Sequence, residues 1–220
     1  MKLKANLIVL IGAFSGAAIA ASYVATAPAS YEGLVSVQSR NLDKLYVRPN
    51  AELARYRKVM IDPVTVEFSK EWDRNVNDPR YTTRVRPEDA RRIAEETTAN
   101  VGDILGDTFK ARGYEIVAAP GPGVLRLSPH VTELYVNAPD IFPPGKTRSL
   151  AREAGEATVI LEARDASNGT LLAVVADHGT AREMLHLSRA NNVSNSFWFD
   201  GMFKRFAARG VDAIKDRPRT

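Results

Sequence analysis

Ala157-Thr158-Val159-Ile160-Leu161-Glu162-Ala163-Arg164-Asp165 runs into a connection holding Asn168-Gly169 and then into Leu171-Leu172-Ala173-Val174-Val175-Ala176-Asp177. Two apolar, β-prone runs of this length, separated by a dipeptide that tolerates the positive φ of tight turns, predict an antiparallel hairpin. Val159, Leu161 and Ala163 alternate with Thr158, Glu162 and Arg164, so the first arm is expected to have one buried and one wet face. An apolar sheet face must be covered by another layer, and no βα unit repeats here. The expected fold class is therefore α+β, a two-layer sandwich rather than a doubly wound sheet.

Working outward, two amphipathic helices are available as the cover. The first opens at Pro87, with Glu88 and Asp89 in the first turn where the helix dipole favours negative charge. Ala90, Ile93, Ala94, Val101, Ile104, Leu105 and Phe109 fall on one face, and Gly113 is a natural stop. The second is the tail from about Ser196, whose stripe of Phe199, Met202, Phe203, Phe206, Gly210 and Ile214 leaves Lys204, Arg205, Arg209 and Lys215 outside it.

Lys58 to Phe68 reads as the first strand, which Pro63 must break, bulge or confine to an edge, since proline cannot donate to a ladder. Tyr114–Val117 and Val124–Val136 read as two extended segments joined by the turn Pro120-Gly121-Pro122-Gly123. Glu71–Arg86 and Ala138–Glu156 read as long loops. The expected order is β-α-β-β-β-β-α, with a mixed, mostly antiparallel sheet and no internal repeat.

The first residues set the expected address. Met1-Lys2-Leu3-Lys4, an apolar run from Leu7 to about Ala20 and the small residues of Ala18-Ile19-Ala20 have the order of a secretory signal peptide, too short to span a bilayer comfortably. The expected organisation is a signal peptide over 1–20 cleaved near Ala20, an irregular N-terminal arm over 21–49 and one α+β domain over 50–220, exported to the periplasm. Cleavage removes Lys2 and Lys4 and takes the formal charge from +4 to +2, too close to neutral to indicate nucleic acid. The remaining chain of about 200 residues is long enough to bury a core without crosslinks. Cysteine is absent, which excludes disulfides, thiolate metal sites, iron–sulfur clusters and a cysteine nucleophile.

No catalytic constellation stands out. His130, His178 and His186 lack the spacing that puts two imidazoles on one metal, so no metal or cofactor is expected. Ser188, His178 and Asp177 could be assembled into a triad only as any chain rich in Ser and Asp allows. Asp177 and His178 are neighbours on a strand and should face opposite ways. The proline-rich turn at 120–123 is a poor phosphate cradle, lacking N–H donors where a cradle needs them. Asp62, beside Pro63, is either an acid with a perturbed pKa or a salt-bridged residue at a strand break, and the second reading is favoured.

Several segments together resemble a known family. Leu53-Ala54-Arg55-Tyr56-Arg57-Lys58-Val59-Met60-Ile61-Asp62-Pro63-Val64, then Gly113–Val117 with Pro120–Leu127, then Asn137-Ala138-Pro139, are similar to the bacterial envelope family 3313 of the domain-of-unknown-function series. The resemblance covers about Leu45 to the C-terminus. It implies an exported protein, often a lipoprotein, and carries no catalytic residues to transfer. This chain lacks the cysteine that a lipid anchor requires.

The expected function is thus a non-catalytic periplasmic or cell-envelope binding or assembly module, whose partner is an envelope protein or envelope polymer. Candidate contact residues are Tyr81, Tyr135, Asp140, Ile141 and Phe142, from or beside the long loops, and Lys204, Arg205 and Arg209 on the last helix. Two alternatives come from other classes: an envelope hydrolase using acidic residues such as Asp62, and a protein held weakly at a membrane surface by the basic C-terminal helix.

Overall fold

The structure, a computed structural model, describes residues 31, 33–76, 85–136, 150–151, 153–182, 188–189 and 192–215. In chain order these form β1 (Val35–Ser36), β2 (Lys44–Val47), a 3-10 turn (Leu53–Arg55), β3 (Lys58–Ile61), β4 (Thr65–Phe68), α1 (Lys70–Val76), α2 (Pro87–Ala111), β5 (Glu115–Ile116), β6 (Val124–Val136), β7 (Leu150–Ala151), β8 (Glu153–Asp165), β9 (Leu171–Arg182), β10 (Ser188–Arg189) and α3 (Asn192–Lys215). The α+β class holds, with an open, mostly antiparallel eight-stranded sheet in which seven strands follow the order β1-β2-β9-β8-β6-β3-β5 and the eighth, β4, also pairs with β6. A separate two-stranded ribbon joins β10 to β7.

The hairpin β8–β9 sits in the middle of the sheet, with β6 antiparallel to β8 on its other side. Its connection is wider than a two-residue turn. Asp165 closes it, accepting from the Ser167 amide at 2.8 Å, while the Asp165 amide donates to the Thr170 carbonyl at 2.9 Å. Gly169 takes a φ of +74° in this turn.

Pro63 divides the first strand as expected. β3 and β4 lie one after the other along the same edge of β6, both parallel to it, and the Asp62 amide donates to the Leu127 carbonyl at 2.8 Å across the break. Helix α2 starts at Pro87 behind Arg86 and stops at Gly113, which adopts a φ of +87°.

Three sequence expectations are corrected. The stretch read as an irregular arm contains β2, which pairs with β9 and buries Leu45, Tyr46 and Val47. The stretch read as an exposed loop from Glu71 contains α1, whose Trp72 is buried, stacks on Phe68 and donates its indole N–H to the Val136 carbonyl at 3.0 Å. The face of β8 read as wet is not wet at its centre: Thr158, Ile160 and Glu162 are all buried. A central strand is shielded by neighbours on both sides, which alternation along one strand does not reveal.

The two long helices pack on the same side. α3 covers β8 and β9, α2 covers β3, β4 and β5, and the helices touch each other. Arg112 makes a two-point contact with Asp212 at 3.1 and 3.3 Å, and Asn100 donates to Asp200 at 2.6 Å, tying α2 to α3. Phe203, Phe206, Val211 and Ile214 of α3 and Val101, Leu105 and Phe109 of α2 join Val59, Leu125, Leu127, Val159, Leu161 and Val175 of the sheet in one core. Among the described residues, no helix is long and apolar enough to cross a membrane.

Candidate functional site

Side chains alternate along a strand, and residues directly opposed in neighbouring strands share a face, so the register assigns the sheet's two faces. Arg209 of α3 reaches Asp177, and a Cβ at Gly179 would come within 2.8 Å of Met202 on α3. These contacts put Asp177 and Gly179 on the helix side, and Val174, Ala176 and His178 on the outer face, away from α2 and α3. Opposite them in β8 are Glu162, Ile160 and Thr158. Opposite those in β6 are Ser128, His130 and Thr132, and Thr65 of β4 stands opposite His130.

This outer face has an apolar corner and a polar remainder. Tyr46, Ile160, Val174 and Ala176 form a small cluster of their own, on which Tyr31, Leu34 and Leu171 pack. Tyr31 meets Tyr46 edge-on at 5.2 Å between ring centres. Toward β3 the face carries ion pairs: Arg126 donates to both oxygens of Asp62 at 3.0 and 2.9 Å, Ser128 donates to Asp62 at 2.6 Å, and Arg164 donates to Glu162 at 2.7 Å. Asp62 is therefore a salt-bridged residue at the strand break. Its lone pairs are already engaged by a cation and a hydroxyl.

At the other end of the face, the register between β6 and β8 slips between Thr132 and Tyr135. Glu133 sits in this irregularity with a φ of +53°, unusual for a residue with a long side chain. The bulge turns the Glu133 carboxylate over β8, where it accepts from the Thr158 hydroxyl at 3.1 Å. The same hydroxyl lies 3.2 Å from Nδ1 of His178, and Nε2 of His178 lies 3.7 Å from Glu156. Gly155 makes the close approach of the strands possible: its φ is +149°, and a Cβ there would fall 1.9 Å from the Tyr135 carbonyl oxygen. Tyr135 stands opposite Glu156 in the register.

A second polar network braces the helix side. Asp177 accepts from the Asp43 amide at 3.3 Å and from Arg209, while the Asp43 carboxylate accepts from the His178 amide at 2.8 Å, fastening the start of β2 to β9. Burial pushes the Asp177 carboxyl above its ordinary range, against the pull of Arg209. Asp165 behaves oppositely: hydrogen bonds from Ser167 and Tyr56 hold it down to about 2. The Tyr56 hydroxyl donates to it at 2.6 Å. Asp177 and His178 face opposite sides, so these two do not form a shared catalytic set.

Of the residues singled out from sequence, Tyr135 comes to the outer-face cluster. Lys204 and Arg205 are exposed on α3, in the other layer, and Arg209 is turned onto Asp177. Tyr81, Asp140, Ile141 and Phe142 lie outside the described residues. Sequence reading passed over Glu133, Glu156, Thr158 and His178 as a group. They come from three strands and meet only through register, and no spacing rule within one element reports that.

The profile of the family described as "Protein of unknown function (DUF3313)" matches residues 25–209, and the chain belongs to this family. No curated protein matches it. Among solved structures it is similar to a PelC dodecamer from Paraburkholderia phytofirmans, at 14% identity and a TM-score of 0.43, over 79% of this chain and 98% of that one. It is also similar to a DUF330 protein from Xanthomonas campestris, at 12% identity and a TM-score of 0.40, over 77% of this chain and 91% of that one. A DUF4136 protein from Bacteroides thetaiotaomicron aligns at 9% identity and a TM-score of 0.32, over 85% of this chain and all of that one.

Proposed function

We propose that this DUF3313 protein is an exported, non-catalytic module of the cell envelope that binds or assembles with an envelope partner through the outer face of its sheet. The observation that carries this reading is the asymmetry of the two faces. One is sealed by α2 and α3 over a continuous apolar core, while the other carries Arg126, Arg164, His178 and Glu156 at its surface. The leader pattern of Met1 to Ala20 supports export.

A photoreactive amino acid at Arg126 or Glu156, both about half exposed, should crosslink to an envelope component in living cells, whereas the same group at Glu95, exposed on α2, should not. Absence of adducts at both sheet positions, or the same adduct from Glu95, overturns the reading. Intact-mass measurement should find the periplasmic protein beginning near Ala21. Met1 retained on cytosolic protein overturns the export half.

A further inference from the structure

Asn168-Gly169, the pair that predicts the central hairpin, has a chemistry of its own, and it occurs once in the chain. Glycine carries no Cβ, so its amide nitrogen is the least shielded nucleophile that can follow an asparagine. Attack of that nitrogen on the side-chain Cγ closes a five-membered succinimide and expels ammonia. In this turn both residues are exposed, and a Cβ built on Gly169 would meet no atom within 4 Å. Water reaches the pair freely.

The hydrogen bonds of the turn act on the two reacting groups in opposite senses. The Thr170 amide donates to Oδ1 of Asn168 at 2.9 Å. Oδ1 is the atom that turns negative when Cγ is attacked, so a backbone donor already stands where charge develops. The Gly169 amide donates to the Asp165 carbonyl at 2.8 Å. That bond holds the proton the nucleophile must lose, and it has to open before the nitrogen can attack. Asp165 is itself firmly anchored: its carboxylate accepts from the Ser167 amide at 2.8 Å, from the Ser167 hydroxyl, and from the Tyr56 hydroxyl at 2.6 Å. One bond activates the pair, and the other restrains it.

We propose that Asn168 is a site of spontaneous deamidation in the folded protein, held in check by the turn that Asp165 anchors. The Gly169 nitrogen gives up its proton and bonds to Cγ of Asn168, the Cγ–Nδ2 bond breaks, and the departing nitrogen takes up a proton and leaves as ammonia. Water then opens the succinimide at either carbonyl, giving an aspartyl or an isoaspartyl residue at position 168. Nothing but solvent is consumed. Either product adds one negative charge beside Arg164, which donates to the Gly169 carbonyl at 3.3 Å and to Glu162 at 2.7 Å. The isoaspartyl form also lengthens the backbone by one carbon, within the connection that closes β8 onto β9. The site stands whichever face of the sheet meets a partner.

The test is to incubate the full mature chain in warm, mildly alkaline buffer, folded and separately unfolded in guanidinium chloride, and to follow it by intact mass and peptide mapping. The folded chain should gain one dalton, located at position 168 and divided between aspartyl and isoaspartyl forms, several-fold more slowly than the unfolded chain. Ser167→Ala removes one bond to the Asp165 carboxylate and should speed the folded chain several-fold while leaving the unfolded rate unchanged. Tyr56→Phe, which removes another, should do the same, so the outcome does not hang on one variant. Gly169→Ala should slow conversion at least tenfold in both states. Intact Asn168 in the folded chain after ten unfolded half-lives, or a mass gain located only at other asparagines, overturns the site. A folded rate equal to the unfolded one, or unmoved by both anchoring variants, overturns the restraint.

Discussion

At the scale of single residues, charge and backbone geometry make opposite demands that measurements can separate. The Asp165 carboxyl is held down to about 2 by Ser167 and Tyr56. A carboxyl whose folded pKa lies below its unfolded value of roughly 3.9 adds stability that is fully present above that value and is lost as pH falls through the folded one. The protein should therefore lose stability between about pH 4 and pH 2. Asp165→Asn should be less stable at pH 7 by roughly 1–3 kcal/mol and should flatten that acid limb, as followed by urea unfolding across the pH series. Asp177 has the opposite sign, since burial raises it; its contribution improves as pH falls, and carboxyl carbon titration should place it above Asp165. Glycines separate in the same way. Gly155→Ala would drive a Cβ into the Tyr135 carbonyl and should cost at least about 3 kcal/mol. Gly169→Ala meets no atom within 4 Å and should cost only the left-handed backbone term, about 1–2 kcal/mol.

Among elements, the two long helices were legible because their apolar stripes persist over several turns, and α1 was not. Lys70-Glu71-Trp72-Asp73-Arg74-Asn75-Val76 offers one large aromatic residue and fewer than two full turns, too short to establish a period. What holds α1 is Trp72, through its stack on Phe68 and its bond to Val136. Trp72→Phe keeps most of the stacking and loses that bond, so its cost should be about 1 kcal/mol. Phe203→Ala, by contrast, empties a site in the core where α3 meets the sheet, and should cost roughly 3–5 kcal/mol in thermal or denaturant unfolding. β2 escaped notice for the same reason as α1: four residues are too few for a pattern, and only pairing with β9 defines the strand.

For the whole molecule, stability should be graded from the centre of the sheet outward. β6, β8 and β9 share the longest ladders, while β1 and β5 are two-residue edges. Amide hydrogen exchange should find the slowest protons in β8 and the fastest strand protons in β1 and β5. Uniform protection across the sheet would contradict this picture. The α+β class, the hairpin, the break at Pro63, the stop at Gly113 and the turn at 120–123 were all determined by the sequence itself, because each depends on a period or on a backbone preference confined to a few neighbouring residues. The composition of the outer face was decided by tertiary structure alone. Glu133, Thr158 and His178 are brought together by cross-strand register and a bulge. Register is a relation between distant segments, fixed by which side chains fill the core beneath them, so no local stretch of chain encodes it.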